Sequence, residues 1–353
     1  MPLDDTLRSL LEAQGPSGYE TAPSVAWRTA AERFSSDVSI DTMGNLTARV
    51  PGAGGGPTLA LVGHIDEIGL IVTHIDDKGR LFFMGIGGWD PQVLVSQRVD
   101  VTTKDGVVPG VIGRKAIHLQ EEDERKKAAD IKDLCIDIGA RDGDEAKALV
   151  RVGDVAVIAA EPLEMANDRV VARAMDNRLG AYIALEAARL VAEAGDQAWD
   201  VVAAAAVQEE VGLNGARALA HGLRPDVAIV IDVTHETDGL GVDPKRINTH
   251  PFGSGPVIER GTILNPKVSE LLIEVAEAES IPYTLMASAR ATGTDADVIH
   301  FSRGGVVTGG IGLPLRYMHS AVEMVQLDDV ANGAKLLAAF ARRLTADSDF
   351  SRG

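Results

Sequence analysis

The chain has a single cysteine, Cys135, which excludes an intrachain disulfide framework and fits a reducing cytoplasm. On its own that thiol reads as a small buried hydrophobe. No apolar run approaches the length of about 18 residues that a membrane helix needs, and no basic-apolar leader is present. Neither a membrane span nor a secretory signal is therefore expected. Positive charge is scarce: 34 Lys and Arg stand against 52 Asp and Glu, a formal net charge of −18. Phosphate-rich partners need clustered Lys and Arg, so nucleic acid and anionic membranes are disfavoured. The basic cluster in EEDERKKAADIK is interleaved with acids and reads as a solvated face. Aromatics make up 4% of the chain, leaving few platforms for stacking sugars. Apolar residues, at 45% of 353, are plentiful enough for a substantial core and for two domains or one with a large insertion.

Along the chain, DTLRSLLEAQGPSGYE predicts a helix and then a Gly-Pro break, and SVAWRTAAERF a second helix. DVSIDTMGNLTARV predicts two short strands around Gly44-Asn45, and PTLALVGHIDEIG a buried strand. From residue 69 to 163 the texture is β-rich, with short runs punctuated by Gly and Asp, which suggests a compact all-β module. Strands and helices alternate again from about residue 170. NRLGAYIALEAARLVAEAG places Leu179, Ile183, Ala187 and Leu190 on one helical face. DVVAAAAVQ reads as a strand, although its alanines also suit a helix. LNGARALAHGL and NPKVSELLIEVAEAES read as helices, DVAIVIDV and GGVVTGGIG as strands, and DDVANGAKLLAAFARRL as a closing helix. The expectation is an α/β fold with a mostly parallel sheet covered by helices. Residues 1–68 and 164–353 would form it, and 69–163 would be an insertion.

Open α/β sheets place their sites beyond the carboxyl ends of the strands. There the sequence offers His64 and Asp66 after LALVG, Asp176 after VVARAM, and Glu209 and Glu210 after AAAAVQ. Asp232 lies in AIVIDV and His319 in GLPLRYMHS. Any one of these alone suits a helix cap or a solvated terminus. Together, imidazoles and carboxylates on one rim suit zinc, cobalt or manganese. Without a cation that many acids would repel one another, and several would have to protonate. Neighbouring residues of an extended chain point in different directions, so Glu209 and Glu210 need not share a role. One can ligate a metal while the other takes a proton from water. Asp66, two residues after His64, projects to the same side and suits the free imidazole N–H or an ordinary ion pair.

In order, GHIDEIG, AMDNRLGAYIALE, QEEVGLNGA, IDVTHETD, GTDAD and PLRYMHSAVE resemble the dinuclear metallo-aminopeptidases of the tetrahedral-aminopeptidase type. That family includes glutamyl and deblocking aminopeptidases, and members have been labelled endoglucanases. The resemblance runs through nearly the whole chain, including AIHL and ERKKAADIKDLCIDIGA in the β-rich stretch. It implies two divalent metal ions per subunit, with His64 and Asp232 on one and Glu210 and His319 on the other. Asp176 would be the bridging carboxylate and Glu209 the general base, with Asp66 supporting catalysis. It also implies a cis peptide before Asn177, a dimerisation role for the insertion, and dimers assembling into a dodecameric cage. Thr294 and Asp295 of GTDAD would border the substrate pocket. Thr292 stands where the family more often has glycine, which bears on side-chain specificity. Arg290, near the same pocket, either favours acidic side chains or is a surface arginine.

The reading that follows is a cytoplasmic aminopeptidase acting on peptides by a two-metal activated water with a glutamate base. A glycoside hydrolase is the alternative. Such enzymes usually set two carboxyls roughly 5–10 Å apart without metal, which adjacent Glu209 and Glu210 fit poorly. A non-catalytic cage would require a missing ligand or base, and none is missing. The preferred N-terminal residue and the native metal are open.

Overall fold

The computed structural model describes residues 2–53 and 56–352. Its largest sheet has eight strands. Their spatial order is Asp37–Ile40, Leu46–Val50, Asp200–Ala206, Thr58–His64, Val227–His235, Val307–Leu315, Val257–Gly261, Thr284–Ser288. The four in the middle are parallel. Val257–Gly261 runs against Val307–Leu315, and the hairpin 37–50 runs against Asp200–Ala206. The central strands divide their residues between two cores with the period of two that a pleated backbone imposes. Leu59, Leu61, Ala203, Ala205, Ile229 and Ile231 enter one core, and Ala60, Val62, Ala204, Ala206, Ala228 and Val230 the other. That double burial decides the alanine-rich stretch in favour of strand, because small side chains on both faces let helices approach closely.

Helix Met175–Ala194 lies on the first face, with Leu179, Ile183, Ala187 and Val191 fully buried and Leu190 packed alongside. Leu327–Arg343 packs against it on the same core. Asn214–Leu223 and the short Ala296–Ile299 cover the other face. Two glycines fix where the long helix crosses the sheet. A Cβ on Gly63 would lie 2.2 Å from the Gly180 carbonyl carbon, and one on Gly180 would lie 2.4 Å from the Ile231 oxygen. Only glycine permits that approach, and it carries the start of the helix to the ends of the strands.

Between Gly69 and Ile158 six strands close into a barrel. In spatial order they are Gly69–Ile75, Arg80–Ile86, Leu134–Asp137, Gly106–Arg114, Arg98–Thr103 and Val155–Ile158. Leu70, Val72, Leu81, Phe83, Val101 and Ile136 are among the side chains of a separate barrel core. The stretch is not all-β. It contains the helix Gly143–Leu149, whose N-cap Asp142 accepts from Glu145 N and whose first turn carries Asp144 and Glu145. Shorter helices occupy Pro91–Leu94 and Glu122–Arg125. Two strands of the main sheet, Val257–Gly261 and Thr284–Ser288, carry too little apolar pattern to be read from sequence. A third sheet joins Leu163–Met165, Arg169–Ala172 and Glu323–Gln326, tying the chain's exit from the barrel to the segment after His319. No helix among the described residues is long and apolar enough to cross a membrane.

Candidate metal centre

The four parallel strands end on one edge of the sheet, and the chemistry-bearing residues collect there. His64 closes Thr58–His64, with Asp66 two residues beyond. Asp232 lies near the end of Val227–His235, and His319 four residues past Val307–Leu315. Glu209 and Glu210 sit in the turn that follows Asp200–Ala206. Asp176 opens the helix that Gly63 and Gly180 hold against the sheet. It and Asn177 have non-helical backbone angles, and the peptide between them is cis.

Asp176 stands between the two histidines. Its Oδ1 is 3.2 Å from His64 Nε2, and its Oδ2 is 3.4 Å from His319 Nε2. His319 Nε2 is also 3.3 Å from Glu210 Oε1, and His64 Nε2 is 3.7 Å from Glu209 Oε2. The donor atoms of His64, Asp176 and Glu210 all lie within 4.8 Å of one another, as do those of His64, Glu209 and Asp232.

Each imidazole presents its other nitrogen to an oxygen. His64 Nδ1 faces Asp66 Oδ1 at 3.3 Å. His319 Nδ1 lies 2.8 Å from the carbonyl of Gly88, a residue just after the barrel strand Arg80–Ile86. With Nδ1 donating to that carbonyl, Nε2 is left as a lone-pair donor on the side of Asp176 and Glu210. Asp66 also accepts the backbone N–H groups of Glu209 at 3.1 Å and Glu210 at 3.2 Å, and the Ser17 hydroxyl at 2.6 Å. It thus holds both the imidazole and the turn that carries the paired glutamates.

Protons and charges at this rim conflict. Burial pushes the Glu209 carboxyl up to about 8; His64 opposes the rise, and Asp295, Glu210 and Asp66 add to it. Burial raises Glu210 as well, and Asp232 far above the ordinary range. Burial also acts to raise Asp176, but hydrogen bonds with His319 and His64 hold it below the usual carboxylate range. His319 is raised to about 11 by the carboxylates of Asp176 and Glu210 that face its Nε2. Burial lowers His64, yet Glu209, Asp176 and Asp66 outweigh it and the imidazole titrates well above normal. Shared protons are the only counter-charge these groups have for one another. Divalent cations fit the same place: the donors are imidazole nitrogen and carboxylate oxygen, and Glu210 Oε1 is buried without a hydrogen-bond partner.

Beside the cluster lies a cavity of about 540 Å³, bordered by His64, Asp176, Glu209, Glu210, Asp232 and His319. Thr292 and Thr294 also line it, their hydroxyls 2.9 Å apart. Asp295 does not line it; it is buried behind, with both carboxylate oxygens lacking a hydrogen-bond partner and its carboxyl raised by burial to about 7. Arg290 is exposed and is not among the lining residues, in keeping with a surface arginine.

Several participants were not singled out from sequence. Glu323 accepts the backbone N–H of Asp176 at 3.1 Å and of His319 at 2.8 Å, linking two rim residues that are distant in sequence. Glu67 is buried between Arg173 and Arg178, at 2.5 and 2.7 Å. Arg178 in turn donates to the carbonyls of Leu10, Ala13 and Ile65. Glu67 follows Asp66 in GHIDEIG, which is the signal that was available; Glu323 offered only its place in PLRYMHSAVE.

The family profile described as M42 glutamyl aminopeptidase matches residues 44–336. The chain is 34% identical to a lysyl aminopeptidase of Pyrococcus furiosus, covering 96% of this chain and 97% of that one. A crystal structure of a TET aminopeptidase from a marine-sediment Thaumarchaeota archaeon is 36% identical, with a TM-score of 0.91 and 96% of each chain covered. The TET1 peptidase of Pyrococcus horikoshii, described as assembling into a tetrahedron or a large octahedral shell, is 31% identical with a TM-score of 0.85. The match covers 96% of this chain and 99% of that one.

Proposed function

The chain belongs to the M42 glutamyl aminopeptidase family and is a metal-dependent aminopeptidase, and we propose that a two-metal site on the rim of its sheet removes residues from free peptide N-termini. The observation that carries the site assignment is Asp176, whose two oxygens face two different histidines. In this reading His64 and Asp232 hold one ion and Glu210 and His319 the other, with Asp176 shared. Zinc, cobalt and manganese all suit these donors. Bound there, divalent ions supply Lewis-acid polarisation of the scissile carbonyl and lower the pKa of water.

The protein's own groups do the rest. Glu209, at the cavity wall, takes the proton of the attacking water on its carboxylate and returns it to the leaving amine. A neighbouring cation opposes the burial that raises this carboxyl, keeping it ionised for that role. Asp66 keeps the His64 ring and the backbone of Glu209 and Glu210 in place. Thr292 and Thr294 border the substrate. A glycoside hydrolase is not favoured, since it leaves both histidines and Asp176 without a task.

The proposal extends to assembly. The barrel exposes Met84, Val107, Val111, Ile117 and Leu119, apolar side chains that suit contact with further copies. The tetrahedral and octahedral shells described for the Pyrococcus horikoshii relative support a homo-oligomer, and dimers assembling to a dodecamer are the form this reading takes. A cytoplasmic location is part of the reading and rests on the single thiol. Hydrolysis of a free-amine aminoacyl substrate should vanish on chelation and return with zinc, cobalt or manganese, while an acetylated substrate stays poor. Undiminished hydrolysis after complete metal removal would defeat the proposal.

A further inference from the structure

The cavity beside the metal centre contains a buried carboxylate for which the mechanism has no use. Glu259 lies on the short strand Val257–Gly261, where Ile258 turns into the main core and Glu259 faces the other way. It is only 4% exposed, yet it lines the cavity together with Asp232, Thr234, Ile247 and Met286. Two glycines of the neighbouring strand make room for it. A Cβ on Gly310 would sit 3.1 Å from Glu259 Oε2, and one on Gly312 would sit 3.8 Å from Oε1. Among the described residues the carboxylate has no hydrogen-bond or ion-pair partner; Ser269 Oγ donates to the backbone oxygen instead, at 2.7 Å. The charge that acts on it is of like sign: burial, then Asp297, push it up to about 7. No Lys or Arg lines the cavity, and Arg260, next along the strand, pairs instead with Glu270 at 2.6 Å.

A buried acid without a partner, aimed into a binding cavity, is costly unless the bound ligand brings a cation. Register fixes its reach. Asp232, Gly312 and Val257 lie in one row across three strands, so the Asp232 and Val257 backbones stand about 10 Å apart. Glu259 is two residues deeper into the sheet than that row. The walls between, Ile247 and Met286, are apolar. We propose that Glu259 is a specificity-determining residue that selects peptides whose first residue is lysine or arginine. A long aliphatic stem would lie along Ile247 and Met286, and its terminal cation would meet the carboxylate. An acidic first residue would meet a like charge with no Lys or Arg to offset it. The inference rests on the aminopeptidase reading of this site.

The test is a panel of lysyl, arginyl, leucyl and glutamyl chromogenic substrates, run on the metal-loaded protein and on Glu259→Gln and Glu259→Asp. The wild type should favour the two basic substrates over glutamyl by about tenfold or more. In Glu259→Gln the ratio of kcat/KM for lysyl over leucyl should fall about tenfold or more, while Glu259→Asp, which keeps the charge, should retain most of it. A merely structural role would lower all substrates together and leave the ratio unmoved. A wild type that favours leucyl or glutamyl substrates, or an unchanged ratio in Glu259→Gln, overturns the inference and leaves the peptidase reading standing. Failure to cleave any substrate overturns the peptidase reading instead. Calorimetric binding of L-lysinamide against L-leucinamide then decides the charge preference independently of turnover, and equal binding rejects it.

Discussion

Inside the barrel the buried side chains are apolar, and Gln120 is the one buried polar residue among the described residues 69–158. At the rim of the parallel sheet, His64, Asp66, Glu67, Asp176, Asp232, Asp295 and Glu323 are all buried within one neighbourhood. The barrel core is held by hydrophobic burial, and its charged residues stay at the surface. The rim carries charges that desolvation opposes, and for several of them a partner answers: Arg173 and Arg178 for Glu67, backbone N–H groups for Asp66 and Glu323. Glu210 Oε1, buried without a hydrogen-bond partner, and the Asp232 carboxyl, raised far above the ordinary range by burial, point to cations from outside the chain. At the edge of the barrel the Gly88 carbonyl joins the two regions by orienting His319.

The largest separation between fold and chemistry is expected at Glu209. Glu209→Gln is nearly isosteric, so melting temperature and metal content should match the wild type while kcat falls by about 10²–10⁴-fold. Steady-state kinetics with elemental analysis check both, and near-normal turnover would remove Glu209 from the role of base. Arg178→Met tests the opposite case, a rim charge that serves the fold. It leaves Glu67 with one cation in place of two and strips hydrogen bonds from Leu10, Ala13 and Ile65. A loss of about 3–5 kcal/mol by urea unfolding is expected. Although burial acts to raise it, Arg173 and Arg178 hold the Glu67 carboxyl below its ordinary value of 4.5. That stabilisation is present above the unfolded pKa and lost as pH falls through the lower folded one. The wild type should therefore lose more stability on acidification below about 4.3 than the variant does.

Ile136→Ala, in the barrel core, should cost about 2–5 kcal/mol through the cavity it leaves. Turnover per folded chain should be preserved; a specific loss of kcat would show that the regions are more tightly coupled than the Gly88 contact implies. The smallest effect is expected at Glu323→Gln. It keeps the shape but replaces one of the two acceptor oxygens with an amide NH2, so the N–H of Asp176 or of His319 loses its acceptor, and metal affinity should fall by about 10–100-fold. Competition with a chelator of known affinity reads this directly.

How much of this was legible beforehand follows from the same contrast. His64, Glu209, Glu210, Asp232 and His319 each stand at or just past the end of a strongly apolar strand, so hydrophobic pattern alone located them on one rim. The barrel was legible as a change of texture beginning at Gly69, but its helix Gly143–Leu149 was hidden in a run of Asp and Gly that also suits turns. Glu259 was illegible because VIERG carries two charges in five residues and is half a strand by pattern. The Gly88 contact could not be read at all, since a backbone carbonyl leaves no mark on the residue type. Arg178 looked like one polar residue of a helix; its burial depends on Glu67 and on the carbonyls of the first helix, distant partners that no local pattern displays.

In the proposed assignment Asp176 is shared by two ions, and Glu210 serves only one of them. This is tested most directly by elemental analysis of the zinc-reconstituted protein beside Glu210→Ala, both freed of loosely bound metal. Two zinc ions per chain are expected in the wild type and fewer than two in the variant, with the fold retained. Two ions in both proteins, or a single ion in the wild type, would contradict the assignment.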